Sequence, residues 1–316
     1  MSPTSRVRFD RFMERCLYGP GGFYSTTGTA GRRGGDFLTN PEVGPLFGAV
    51  VAEMLDSRWI ELGSPDDMVI YDVGCGPGAL LKAVAAAKPD RPWRLVGVDR
   101  VESAGADISE LPDDLSGAVV LGNELLDNLP FRIVERRPDG FYEVFVTNGP
   151  GGDSEGLAEH LQPTDLALDI PVGTRAPLLT AAGEWLDSVI ERGPAMVCLI
   201  DYGAPTTAEL AARGGWLRTY RQHQRGSDPY LDPGTADITT DVAWDQLAAP
   251  ASLERQHEFL RRWGIDRLVD EGRDYWKQHA AAPDLTAMRM RSRISEVDAL
   301  VDSSGLGNWW VATWQE

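Results

Sequence analysis

Apolar positions along the chain change their period several times, and each change predicts an element. Between residues 7 and 18, Val7, Phe9, Phe12, Met13 and Leu17 recur at helical intervals, which predicts an amphipathic helix. A second helical pattern runs through EVGPLFGAVVAEMLDSRWIEL, residues 42–62. From residue 68 onward, short β-branched runs alternate with helical stretches: MVIYDVG, ALLKAVAAAK, RLVGVD and AVVLGN. That alternation predicts a parallel sheet with helices on its faces, because parallel strands need crossover connections. FRIVERR and GFYEVFVTN, joined at Pro138-Asp139-Gly140, predict a β-hairpin inserted into that scaffold. Residues 176–193 predict a helix ending at Gly193, AMVCLIDYG a further buried strand, and residues 258–269 and 285–302 two more helices before a last strand in GNWWVATWQE. The glycine-rich stretch GPGGFYSTTGTAGRRGGDF, residues 19–37, is a long connection of the kind that either links elements or folds over a ligand.

Composition narrows the function. With 316 residues the chain suits one large α/β domain carrying an elaboration. Its 48 acidic and 30 basic side chains give a formal net charge of -18, which repels phosphate backbones and anionic lipid and attracts cations. Nucleic acid and membrane are therefore not expected partners. There is no apolar stretch of signal-peptide or membrane-span character, so a cytoplasmic protein is expected. Cys16, Cys75 and Cys198 are scattered, and the four histidines form no H-E-x-x-H pattern. Neither a disulfide framework nor a metal site is expected.

The strongest local motif is VIYDVGCGPGALL, in which Gly74, Gly76 and Gly78 lie between a strand and a helix. Without Cβ atoms a ligand can approach this turn closely, and the helix start offers free N–H groups. Asp72 precedes the turn, and Asp99 ends the next strand, where a carboxylate can grip a ribose hydroxyl pair. Two cofactor classes suit this geometry. Read to Ala79, it fits a dinucleotide fingerprint and an oxidoreductase; read as acid-x-G-x-G-x-G, it resembles the first motif of class I S-adenosylmethionine-dependent methyltransferases. Asp72 suits the second better, because it can hold a cofactor amino group.

Several separated stretches line up with one family. MERCLYGPGGFY, GDFLTNPEVGPLFG, YDVGCGPG, GNELLDNLPFRIVE, LIDYG and WLRTYRQHQRGSDPYLDPGTADITTDVAWDQL occur in order between residues 13 and 247. In these the chain resembles the MidA-type methyltransferases, the group of the mitochondrial complex I assembly methyltransferase, and especially shorter actinobacterial members. The resemblance implies an α/β class I methyltransferase (Rossmann-like) fold: a mostly parallel seven-stranded sheet with helices on both faces. It also implies S-adenosyl-L-methionine as methyl donor and a protein arginine as acceptor. The chain departs from the family pattern at Asp72, usually glutamate, at Pro77, commonly arginine, at Trp216 within Gly215-Trp216-Leu217-Arg218, and at Ala236, usually glutamine. The organisation expected is an N-terminal helical and glycine-rich lid over residues 1–62 and a methyltransferase domain over 63–316. That domain would carry an insertion around 131–180 and an acceptor-pocket elaboration around 204–250.

The expected cofactor-binding residues are Gly35, Asp36, Phe37, Asp72, Gly74, Gly76, Gly78, Asp99, Asp107 and Asn123, with Asp107 approaching the adenine amino group as acids after the third strand do in similar enzymes. A guanidinium stays protonated at neutral pH, so an arginine acceptor needs carboxylates beside it. Glu124 and Asp127, in VVLGNELLDNLP, lie three residues apart after a strand and supply such a pair. Asp201 at the end of the next strand and His223 in TYRQHQ complete the expected catalytic set, with Asp237 beside His223 as a second wall. The partner expected is a protein or peptide with a basic side chain, or a small molecule, and a homodimer is left open. Two other readings stand beside arginine methylation: a methyltransferase for a small-molecule or peptide natural product, and a non-catalytic assembly factor built on the same scaffold.

Overall fold

The computed structural model describes residues 6–27, 39–101, 103–148, 156–221 and 224–315. Its centre is a six-stranded sheet in the order Ser252–Arg255, Trp310–Gln315, Met196–Asp201, Val119–Asn123, Val69–Val73, Arg94–Val98. The last four run parallel, and Trp310–Gln315 runs antiparallel to Met196–Asp201. From Val69–Val73 the chain first moves outward to Arg94–Val98 and then returns to the other side at Val119–Asn123. The crevice at that reversal is where open α/β sheets bind ligands.

Period-2 alternation along the strands assigns side chains to two cores. Ile70, Val119, Leu121, Cys198 and Ile200 pack with Phe47, Val50 and Leu80 on one face. Tyr71, Val120, Val197 and Leu199 pack with Phe9, Met13, Leu17 and Phe131 on the other. Strands buried on both faces read as continuous apolar runs, which is why the parallel set is visible in the sequence. The three cysteines are buried and free. Among the described residues no helix is long and apolar enough to cross a membrane.

Five sequence expectations change. Among the described residues the central sheet has six strands where seven were expected; beside Arg94–Val98 there is only a single parallel bridge from Val98 to Ile108, and Pro112 with the acids Asp113 and Asp114 follows within a few residues and cannot extend a ladder. The hairpin of Arg132–Arg137 with Gly140–Asn148 is the middle of a five-stranded sheet that also takes in Val7–Arg8, Leu157–Thr164 and Arg175–Leu178. Residues 175–178 are therefore an edge strand, where Pro177 is tolerated, and the helix begins only at Thr180. The helix over 42–62 starts at Asn40 and breaks at Gly44, giving Asn40–Val43 and Pro45–Glu61 with Pro45 in the first turn. Residues 258–269 likewise divide into Gln256–Arg262 and Ile265–His279 at Gly264, whose φ of +85° suits glycine.

Phe131 ties the inserted sheet to the N-terminal helix Phe9–Tyr18. Its ring lies 5.3 Å from Phe9 and 6.2 Å from Trp216, and it is fully buried. Phe131→Ala is expected to lower the unfolding free energy by roughly 3–5 kcal/mol in urea denaturation, whereas Leu285→Ala, at a position 79% exposed, should change it by no more than about 0.5 kcal/mol.

Candidate active site

A cavity of about 490 Å³ opens at the carboxyl ends of the parallel strands. The glycine turn forms one wall: Gly74, Gly76 and Gly78 have φ of +71°, +48° and +73°, conformations that L side chains rarely adopt. A Cβ on Gly105, packed against this turn, would sit 2.3 Å from the Gly78 nitrogen, so the following loop can close directly onto the turn. Asp99 braces both: Oδ2 accepts the Gly76 N–H at 3.1 Å and Oδ1 the Val101 N–H at 3.1 Å.

The acids converge on this cavity. Asp72, Asp99, Glu42, Glu110, Asp113 and Glu124 line it, against two cations, Arg100 and Arg192. Asp72 is buried, and its carboxylate has no hydrogen-bond partner among the described residues. Burial, then the nearby Asp99 charge, pushes it up to about 7. Glu124 is held well above the usual carboxylate range by burial and by Asp127, against the stabilising hydrogen bonds from Asn123 and the Asn40 backbone.

The stretch after Val119–Asn123 does not continue as a helix. Glu124 has φ +54°, a left-handed conformation uncommon for a residue with a side chain, and its N–H donates to the Ile200 carbonyl at 2.9 Å. A single 3-10 turn, Leu126–Asn128, follows. Asp201 holds that turn: Oδ2 accepts the N–H groups of Leu126 and Asp127 at 3.0 and 3.2 Å, and Oδ1 accepts that of Tyr202 at 2.9 Å. Glu124 and Asp127 therefore diverge, because the three-residue spacing aligns side chains only along a continuous helix. Glu124 faces the cavity, while the buried Asp127 accepts the Tyr202 hydroxyl, and the Arg218 guanidinium lies 4.2 Å over the Tyr202 ring.

Of the residues singled out from sequence, Asp72, Gly74, Gly76, Asp99, Asn123 and Glu124 line the cavity. Gly78 caps the start of the helix Ala79–Ala87 behind the turn. Asp127 and Asp201 act one layer behind, on the backbone and on Tyr202, and are corrected from acceptor-facing groups to supports. Asp107 is also corrected: its Oδ2 accepts the Gly97 N–H at 2.8 Å, which commits it to the loop after Arg94–Val98, and Glu110 and Asp113 are the acids of that loop that reach the cavity. Gly35, Asp36, Phe37 and His223 lie outside the described residues.

Sequence reasoning passed over Tyr18, Tyr24 and Asn128, which line the cavity's far side. The two rings stack at 5.4 Å. The Tyr24 hydroxyl lies 3.1 Å from both Asn128 Oδ1 and Asp237 Oδ1, and Asn128 Nδ2 donates to the same Asp237 oxygen at 3.0 Å. Asp237 is fully buried and pushed up to about 8, first by burial and then by Asp127. Arg100 closes the rim, 4.1 Å over the Tyr18 ring and 2.6 Å from Glu14. The signal was available in MERCLYGPGGFY, where both tyrosines flank the glycines.

A family model for S-adenosyl-L-methionine-dependent methyltransferases matches residues 101–260, half of the chain. The chain belongs to that family. The chain is 25% identical over 291 residues to the Drosophila melanogaster homologue of protein arginine methyltransferase NDUFAF7, covering 76% of this chain and 65% of that one. It is 24% identical over 322 residues to the mitochondrial protein arginine methyltransferase NDUFAF7 of Homo sapiens, covering 83% and 71%. It thus spans just under two thirds of the fly relative's length. A Burkholderia thailandensis protein solved with S-adenosyl-homocysteine superposes with a TM-score of 0.82 over 98% of this chain and 88% of that one, at 24% identity. That likeness shows the shared fold.

A cofactor amino group held by the Asp72 carboxylate predicts a pH-dependent affinity. Protonated below about 7, it cannot pair with a cation, so affinity is present above that value and is lost as pH falls through it. Calorimetric titration with S-adenosylmethionine should show Kd rising up to about tenfold per pH unit below 7. Asp72→Asn should weaken binding roughly 10- to 100-fold at pH 8 and flatten the dependence; an undiminished slope in that variant would assign the proton elsewhere.

Proposed function

We propose that this methyltransferase transfers a methyl group to an arginine side chain of a protein. The observation that carries the reading is Glu124: a half-buried carboxylate held in left-handed backbone at the cavity wall, beyond the glycine turn. The names of the fly and human relatives, both protein arginine methyltransferases, support the same acceptor.

The cavity suits the cofactor on two counts. The unpartnered Asp72 carboxylate complements a cationic amino acid group, and the positive-φ glycines present bare backbone beside it. Asp72 and the Gly74–Gly78 backbone would hold the amino acid part, and Asp99 the ribose hydroxyls. When bound, S-adenosylmethionine supplies an electrophilic methyl group on a sulfonium.

The chain's own residues then bind, orient and exclude water. Glu124 accepts N–H donation from the guanidinium and, once paired with it, ionises; its charge holds the cation's positive charge away from the attacking nitrogen. Tyr18, Tyr24 and Leu129 also line the cavity, and their apolar bodies lower the local dielectric in which the pairing acts. Holding the nucleophile at attack distance is the larger part of the catalysis for an in-line displacement. Trp216, one of the departures from the family pattern, is buried against Phe131 and donates its indole N–H to the Arg175 carbonyl at 3.0 Å. That substitution alters the core beneath the site and leaves the cavity lining unchanged.

Glu124→Gln should bind S-adenosylmethionine within about threefold of wild type yet lose roughly 100- to 1,000-fold in turnover. After incubation with methyl-labelled cofactor and cell extract, mass spectrometry should find methylarginine in protein with the wild type and not with the variant. Label confined to metabolites would replace the protein acceptor with a small molecule.

A further inference from the structure

Three amides, two of them fully buried, connect Glu124 to the helix Leu285–Val301. Gln256, fully buried at the start of Gln256–Arg262, donates from Nε2 to the Leu300 carbonyl at 3.3 Å and to Asn40 Oδ1 at 2.8 Å. Asn40, also fully buried, returns Nδ2 to Gln256 Oε1 at 2.9 Å and to Asn123 Oδ1 at 3.0 Å. Asn123 Nδ2 then donates to Glu124 Oε1 at 2.9 Å.

The direction of this chain follows from its anchor. Leu300 lies in the last turn of Leu285–Val301, where carbonyls lack an intrahelical donor, and a carbonyl can only accept. Gln256 must therefore turn its NH₂ toward Leu300 and its oxygen toward Asn40. Asn40 in turn must give its remaining N–H to Asn123, and Asn123 is left presenting N–H to Glu124. Reversing any one amide would set two acceptors or two donors face to face in a buried site.

We infer that Gln256, Asn40 and Asn123 form an amide relay of fixed orientation that positions Glu124, with the Asn123 N–H held on Oε1 and the carboxyl turned to the methyl acceptor. Gln256 is thereby a positioning residue, although it does not line the cavity. The inference deepens the arginine reading and rests on Glu124 facing the acceptor. The charged groups facing Glu124 are Asp127, Glu42 and Asp201, and all three are kept in the tests.

The readout is the titration of the Glu124 carboxyl, followed by carbon-13 NMR in the full chain without added cofactor and identified by its loss in Glu124→Gln. Gln256→Met, neutral and similar in shape, frees Asn40 and Asn123 to turn, and the Glu124 midpoint should rise by about one pH unit, tenfold in proton affinity. Leu260→Ala, a buried neighbour on the same helix, should destabilise the protein while leaving the midpoint in place. Equal midpoints in wild type and Gln256→Met overturn the relay. If Gln256→Met does not fold, Gln256→Leu, also neutral, carries the test: the Glu124 midpoint should rise as in Gln256→Met, and an unmoved midpoint overturns the relay. Shifted midpoints together with turnover that survives Glu124→Gln support the relay and remove only the acceptor role.

Discussion

The site depends on one carboxylate that never reaches its cavity. Asp201 accepts backbone N–H groups from Leu126, Asp127 and Tyr202, joining the end of one parallel strand to the turn that follows its neighbour. With those donors satisfied the chain cannot run on as a helix after Asn123. It bends through the left-handed Glu124 into the Leu126–Asn128 turn. The bend sends Glu124 to the cavity, Leu126 to the core, Asp127 to Tyr202, and Asn128 to Tyr24 and Asp237. Four side chains of one short stretch thus acquire different tasks from a single set of hydrogen bonds.

Electrostatics give the cavity its selectivity. Burying carboxylates away from water is costly unless they are paired or protonated, and Asp72, Glu124 and Asp237 all respond by holding their protons more tightly. A cationic occupant supplies the missing partner. The same logic operates at long range, where the net charge of -18 favours the approach of a basic surface. The proposed sulfonium donor and guanidinium acceptor would each bring positive charge to a site whose acids hold their protons tightly.

Much of the scaffold was legible because its signals are local. Runs such as MVIYDVG and AMVCLIDYG are buried on both faces, so they are almost continuously apolar up to the acid near each carboxyl end and mark parallel strands directly. The glycine turn was equally readable, since positive φ at three alternate positions demands glycine. Asp72, Asp99 and Glu124 could be placed at the cavity because each sits at the end of a strand, and strand order brings those ends together. The strand at Arg175–Leu178 and the short bridge at Ile108 were not legible, because only pairing with a distant partner decides whether such segments become strand.

What the sequence determined by itself was the period of each segment, the position of the glycine turn and the acids at the strand ends, all of which follow from neighbours within a few residues. Only the tertiary structure decided which acids face the cavity. Glu124 and Asp127 differ in that respect through Asp201, 74 residues beyond Asp127, and the amides behind Glu124 come from Asn40 and Gln256, 216 residues apart. A carboxylate's role is set by which donors reach it, and those donors arrive from parts of the chain that no local pattern connects.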